Sequence, residues 1–150
     1  MNPPTLISVC AFLKHYATAY RQATRERLLD FVGWYWRDGR VGIVRENGRI
    51  VAVAIGRCVQ DVTRAQAEPY YHEEAAPIVW IDDIVSRHPH GVGLLFRQAM
   101  KRFGPRNAFS GQVFKRAGEL RMLPYHCVAR LAIDIPHHGL SLYSGATRAA

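Results

Sequence analysis

Apolar positions along the chain follow two periods. After Pro3-Pro4, Thr5 stands where a helix cap is needed, and Leu6, Val9, Cys10, Leu13, Tyr16, Ala17 and Tyr20 recur at helical spacing. Thr24 opens a second such run through Leu28, Leu29, Phe31, Val32 and Tyr35, which stops near Asp38-Gly39. The pattern then turns strand-like over 41–46 and 49–57. Asn47-Gly48 between them tolerates the positive φ of a type I′ turn, so an antiparallel hairpin is predicted. The polar stretch 60–77 is expected to form an irregular excursion or short helix overhanging a site. Ile78 to Val85 reads as an apolar strand and 86–93 as a basic, glycine-bearing turn. Val92, Leu95, Phe96, Ala99, Met100 and Phe103 read as one face of a helix that Gly104-Pro105 ends. Segments 107–116, 119–123 and 126–133 are expected as short strands, and 136–150 as a Gly/Ser/Ala-rich tail that frays. Together these elements predict a single domain over 1–135. Its expected class is α+β, an α/β sandwich with a mixed, mostly antiparallel sheet flanked by helices and one crossover helix.

Composition narrows the class of partner. The 150 residues carry a formal charge of +8. Nine Lys or Arg against a single acid, Glu119, lie between Ser86 and Arg130, so the whole excess sits in the second half. Such a field attracts a polyanion, whether nucleic acid, an acidic carrier protein or a phosphorylated cofactor. Nucleic acid has only this charge in its favour, because no recognition motif accompanies it. No apolar run is long enough to span a membrane, and Met-Asn-Pro-Pro-Thr lacks a signal-peptide pattern. Cys10, Cys58 and Cys127 are odd in number and show no CxxC, which predicts reduced thiols and a cytoplasmic setting. His137-His138 has no Cys or carboxylate partner at ligand spacing, so no metal site is expected.

Two features carry candidate chemistry. Asp82 and Asp83 interrupt an apolar strand, where neighbours alternate between faces, so at least one carboxylate is expected on a packed side or in a cleft. An unpaired buried carboxylate is costly, which leaves pairing with an Arg, a bulge exposing both groups, or a working role. The turn 86–93 delivers N–H groups to a helix start that favours phosphate, and Gly91 and Gly93 would permit close approach. Arg87, His88 and His90 add positive charge there; the plainer reading is a solvated basic turn. Tyr125 is weighed as a proton donor to a leaving thiolate and expected to pack instead. Among the consecutive Trp34, Tyr35 and Trp36, one is expected to line a groove.

In element order, roughly residues 5–125 resemble the GNAT acyltransferase superfamily. In that family the turn after the fourth strand carries a Gln/Arg-x-x-Gly-x-Gly/Ala motif that holds the pyrophosphate of coenzyme A. His88-Pro89-His90-Gly91-Val92-Gly93 occupies this place, with His88 where Gln or Arg is usual. A narrower likeness is to the toxin-activating lysine acyltransferases, which move fatty acyl chains from acyl carrier protein to protein lysines. Val44-Arg-Glu-Asn47 with Val51-Ala52 is similar to that family's hairpin, and the helix end Met100-Lys-Arg-Phe103 looks alike. Trp80-Ile-Asp-Asp-Ile84 is similar to its aromatic-Ile-Asp-aromatic-Ile strand, whose Asp is functional.

The resemblance implies an N-acyltransferase using acyl-CoA or acyl carrier protein as donor and an amine as acceptor, which the narrower likeness makes a protein lysine. Asp82 first and Asp83 second, with His15 as the only early histidine, would take the ammonium proton. N–H groups of Ile84 and Val85 would polarise the carbonyl. Arg87, His88, Gly91, Val92, Gly93 and Leu94 would hold the donor. The rival reading is a catalytically silent GNAT-like structural or interaction module, for example in a phage particle or nucleoprotein assembly.

Overall fold

The computed structural model describes residues 2–145. Two helices, α1 (Leu6–Tyr16) and α2 (Arg25–Trp36), precede the hairpin of β1 (Val41–Glu46) and β2 (Arg49–Val59). A short helix, α3 (Val62–Ala67), lies in the excursion before β3 (Ile78–Ser86), which leads to α4 (Gly91–Phe103). Next come β4 (Ala108–Ser110), β5 (Leu123–Pro124), α5 (Tyr125–Ala132) and β6 (Leu140–Ser144). The six strands form one sheet in the order β5-β4-β3-β2-β1-β6. Among the described residues only β3 and β4 run parallel, and α4 supplies the crossover that parallel neighbours require. The fold is therefore a mixed α+β sandwich.

Local chemistry explains the main elements. Thr5 and Ser8 close a reciprocal capping box on α1, and Thr24 accepts the Arg27 N–H at the start of α2. Asn47 and Gly48 take φ of 51° and 80°, and Glu46 pairs with Arg49 across the turn. Helices α1 and α2 pack Val9, Leu13, Leu28, Val32 and Tyr35 against Ile43, Val53 and Ile55 on one face of the sheet. On the other face α4 and α5 cover Val44, Ala54, Ile81 and Phe109 with Leu94, Leu95, Phe103 and Val128.

Five segments differ from the sequence expectation. Helix α4 begins one residue earlier than expected, at Gly91, and it turns Leu94, Leu95 and Gln98 to the sheet while leaving Val92 42% exposed. Residues 126–132 are helical and Ile133 caps the helix: Val128 and Ala132 share the buried face, while Leu131 and Ile133 point outward. Arg97 stabilises that helix end by donating to the carbonyls of Ala132, Ile133 and Ile135. Segment 107–116 is strand only at Ala108–Ser110 before a 3₁₀ turn, and 119–123 contributes only Leu123 to β5. Leu140–Ser144, expected to fray, pairs with β1 from Gly42 to Glu46 as an edge strand. Residues 146–150 of the expected tail lie outside the described residues.

Candidate functional site

The centre of β3 is irregular. Ile55 of β2 faces Asp83 while Gly56 faces Ile81, so Asp82 is the extra residue of a bulge. The bulge breaks the alternation that would have put the two carboxylates on opposite faces. Both turn towards α1 and α2: Tyr35 of α2 donates to Asp82 at 2.8 Å, and the Tyr20 hydroxyl hydrogen-bonds Asp83.

Their environments differ. Asp82 receives Arg57 in a fork, Nε to Oδ2 at 2.8 Å and Nη2 to Oδ1 at 2.9 Å, and Trp80 Nε1 adds a bond at 3.1 Å. Arg57 is 3% exposed and also donates to the carbonyls of Ala65, Glu68 and Tyr71. The pair therefore fastens the 60–77 excursion to the sheet, and Asp82 has no oxygen left for proton transfer. Asp83 has no cationic partner among the described residues. Its Oδ1 accepts the N–H of Ile84 at 2.9 Å, and burial pushes its carboxyl pKa up, partly offset by the bonds from Tyr20 and Ile84. Burial likewise raises the hydroxyls of Tyr20 and Tyr35, with the neighbouring carboxylates adding to the shift, so both remain neutral donors. An aromatic wall adjoins this pair: Phe31 packs on Tyr20, Tyr35 and Tyr70, and Trp34 packs on Tyr70 at 5.1 Å. Tyr70 is held at φ 63°, a left-handed conformation costly for a bulky residue.

The other expected residues divide. Arg87 is exposed, with its guanidinium 4.9 Å above the ring of Tyr16; His15 meets the same ring edge-on at 4.5 Å. His15 is thus exposed near the end of β3, without a bond to either aspartate. The Ile84 N–H is taken by Asp83. Arg87 N–H donates to Val51, so the alternating ladder also turns the Val85 N–H towards β2. Neither amide is free to polarise a carbonyl. His88 accepts the His90 N–H at Nδ1 and presents Nε2 to Glu46 at 3.3 Å, so it braces the turn.

Packing gives both motif glycines a reason to be small. A Cβ on Gly91 would lie 2.0 Å from Ser86 Oγ, and one on Gly93 would lie 2.7 Å from Ile135 Cδ1. The space expected for a ligand's approach is filled by the chain itself. Leu94 is a core residue whose N–H bonds His90. What remains of the expected cradle is the pair of N–H groups on Val92 and Gly93, which find no partner among the described residues.

Tyr125 stacks on Phe109 at 5.7 Å, a packing role. Cys58, His72 and Glu74 bring potential metal-ligand atoms within 4.8 Å of one another. Those groups are already engaged: His72 Nδ1 accepts the Cys58 N–H, its Nε2 meets Glu74, and Glu74 also holds Arg102. Burial raises the thiol pKa to about 11 and lowers that of His72, with arginines close by, an environment that disfavours a cation.

Tyr20 and Arg57 are site residues that sequence reasoning did not single out, and Tyr35 was read only as one of three consecutive aromatics of which one would line a groove. Arg57 had a usable signal, a charge inside apolar β2 that answers the charge inside apolar β3. No helix among the described residues is long and apolar enough to cross a membrane. Compared with known proteins, the chain matches no family model, no curated protein and no solved structure.

Proposed function

We propose that the protein is an N-acyltransferase that moves an acyl group from a thioester, acyl-CoA or acyl carrier protein, to a primary amine in the cytoplasm. The observation that carries this reading is the division of labour between the two carboxylates. The bulge brings both to one face, Arg57 neutralises Asp82, and Asp83 is left with a raised pKa beside the Tyr20 hydroxyl. A carboxylate without a cation and with raised basicity suits a general base. Asp83 takes a proton from the ammonium, and the freed nitrogen attacks the thioester carbonyl. The C–S bond then breaks, and the thiolate leaves to take up a proton. The N–H groups of Val92 and Gly93, with Arg87 nearby in sequence, favour the donor's phosphates at the α4 start. The GNAT resemblance points the same way.

One observation favours the rival, a catalytically silent module of the same fold: Ser86 and Ile135 fill the space beside Gly91 and Gly93. Calorimetry on the full chain with acetyl-CoA, a long-chain acyl-CoA and acyl carrier protein separates the two. The acyltransferase reading expects saturable binding of at least one donor, weakened by salt. No binding of any of them would leave the silent module.

A further inference from the structure

Independently of acyl transfer, the tip of the β1–β2 hairpin holds a cation with no counter-charge among the described residues. Arg45 is 7% exposed, and its Nε is completely buried without a hydrogen-bond partner. Nη2 donates to the Tyr143 hydroxyl at 2.7 Å, and the guanidinium lies 4.4 Å over that ring. Nη1 reaches solvent, and no group among the described residues accepts from it. The adjacent Glu46 is engaged by His88 instead. A buried guanidinium with no carboxylate is costly unless something supplies the missing negative charge.

Arg45 lines a surface pocket of about 390 Å³, together with Pro3, Thr5, Ser8, Arg49 and Ile50. Among the described residues no acidic side chain lines it. The pocket opens at the start of α1, an 11-residue helix. There the capping box occupies the N–H groups of Thr5 and Ser8, while those of Leu6 and Ile7 have no partner among the described residues. The exposed Arg49 adds a second cation at the rim. Two arginines therefore line one cavity, beside the positive end of a helix. Several donors from different directions suit an oxyanion with more than two acceptor oxygens.

We propose that this pocket binds the phosphate group of a small phosphorylated ligand, with Arg45 and Arg49 as its cationic contacts. The test is an amide and arginine-Nε NMR titration of the full chain with inorganic phosphate at fixed ionic strength. Glycerol 3-phosphate serves as a monoester arm and acetate as a carboxylate control. Phosphate is expected to shift Arg45 Nε–H and the amides of Leu6 and Ile7 saturably. Both R45M, which keeps the apolar stem on Tyr143, and the surface change R49Q are expected to weaken binding about tenfold. Tighter binding of glycerol 3-phosphate than of phosphate would assign an ester as the natural ligand, and equal binding would assign free phosphate; both support the site. The proposal is overturned if phosphate causes no saturable shift, if acetate binds equally well, or if folded R49Q and R45M both bind as the wild type does.

Discussion

At the residue scale, two neighbours of identical chemistry have opposite consequences for stability. Asp82 compensates a buried arginine, so Asp82→Asn leaves Arg57 uncompensated and is expected to cost about 3–5 kcal/mol. Asp83 is destabilising when charged, because burial raises its pKa above that of the unfolded chain. The penalty for its charge is full above the raised native-state pKa, is relieved as pH falls through that value, and is gone below the ordinary aspartate value of about 3.9. Asp83→Asn, which keeps an oxygen for the Ile84 N–H, should therefore raise the melting temperature at pH 7. The gain should fade as both states protonate in acid. Calorimetric melting of the two variants from pH 3 to 7 checks both signs. Equal destabilisation by the two substitutions would show that Asp83 too is a structural anchor. A second expectation concerns Gly93, where Ile135 occupies the place of a side chain. Gly93→Ala should destabilise, and Ile135→Ala should recover part of that loss in the double variant. Additive effects in that cycle would contradict the contact.

At the scale of elements, signals that are local in the chain were legible and those that depend on distant partners were not. Asn47-Gly48 between alternating runs specified the hairpin, and the capping residues Thr5 and Thr24 marked the first two helices. The bulge in β3 was visible only as one of several readings of Asp82-Asp83, because the Arg57 that settles it is 25 positions away. Short apolar runs are ambiguous between helix and strand, and 126–133 was resolved as a helix by its packing. Strand β6 escaped notice because an edge strand following Pro136 and Gly139 needs β1 to define it. Helix α5 depends on Arg97 in the same non-local way. Arg97→Met should speed amide exchange across Tyr125–Ala132 while leaving β2 and β3 protected, as hydrogen-exchange mass spectrometry would show. Unchanged exchange in α5 would mean that the arginine bonds to its last carbonyls are incidental.

At the scale of the molecule, the sheet divides its work between two faces. One face, under α1 and α2, carries the carboxylates, the tyrosines and the aromatic wall; the other, under α4 and α5, is mainly core. The proposed amine therefore enters on the α1–α2 side. The proposed contacts to the acyl donor's phosphates lie where the turn after β3 leaves the sheet. The sequence placed His15, Asp83 and Arg87 among its candidates. In the fold His15 and Arg87 share the ring of Tyr16, and Asp83 lies earlier on the strand that leads to Arg87. The glycine motif was legible as a pattern but not as a cause, because Ser86 and Ile135 explain its small residues.

Transfer activity tests the central claim most directly. Wild-type protein, Asp83→Asn and Asp82→Asn are incubated with acyl-CoA or acyl carrier protein and a lysine-containing peptide, and amide formation is followed by mass. The account predicts transfer by the wild type and a loss on the order of 10²–10⁴ in turnover for Asp83→Asn, with donor binding retained. Asp82→Asn should lose activity only as far as it loses fold. Full activity in Asp83→Asn, or no transfer by folded wild-type protein with any thioester donor, would contradict it.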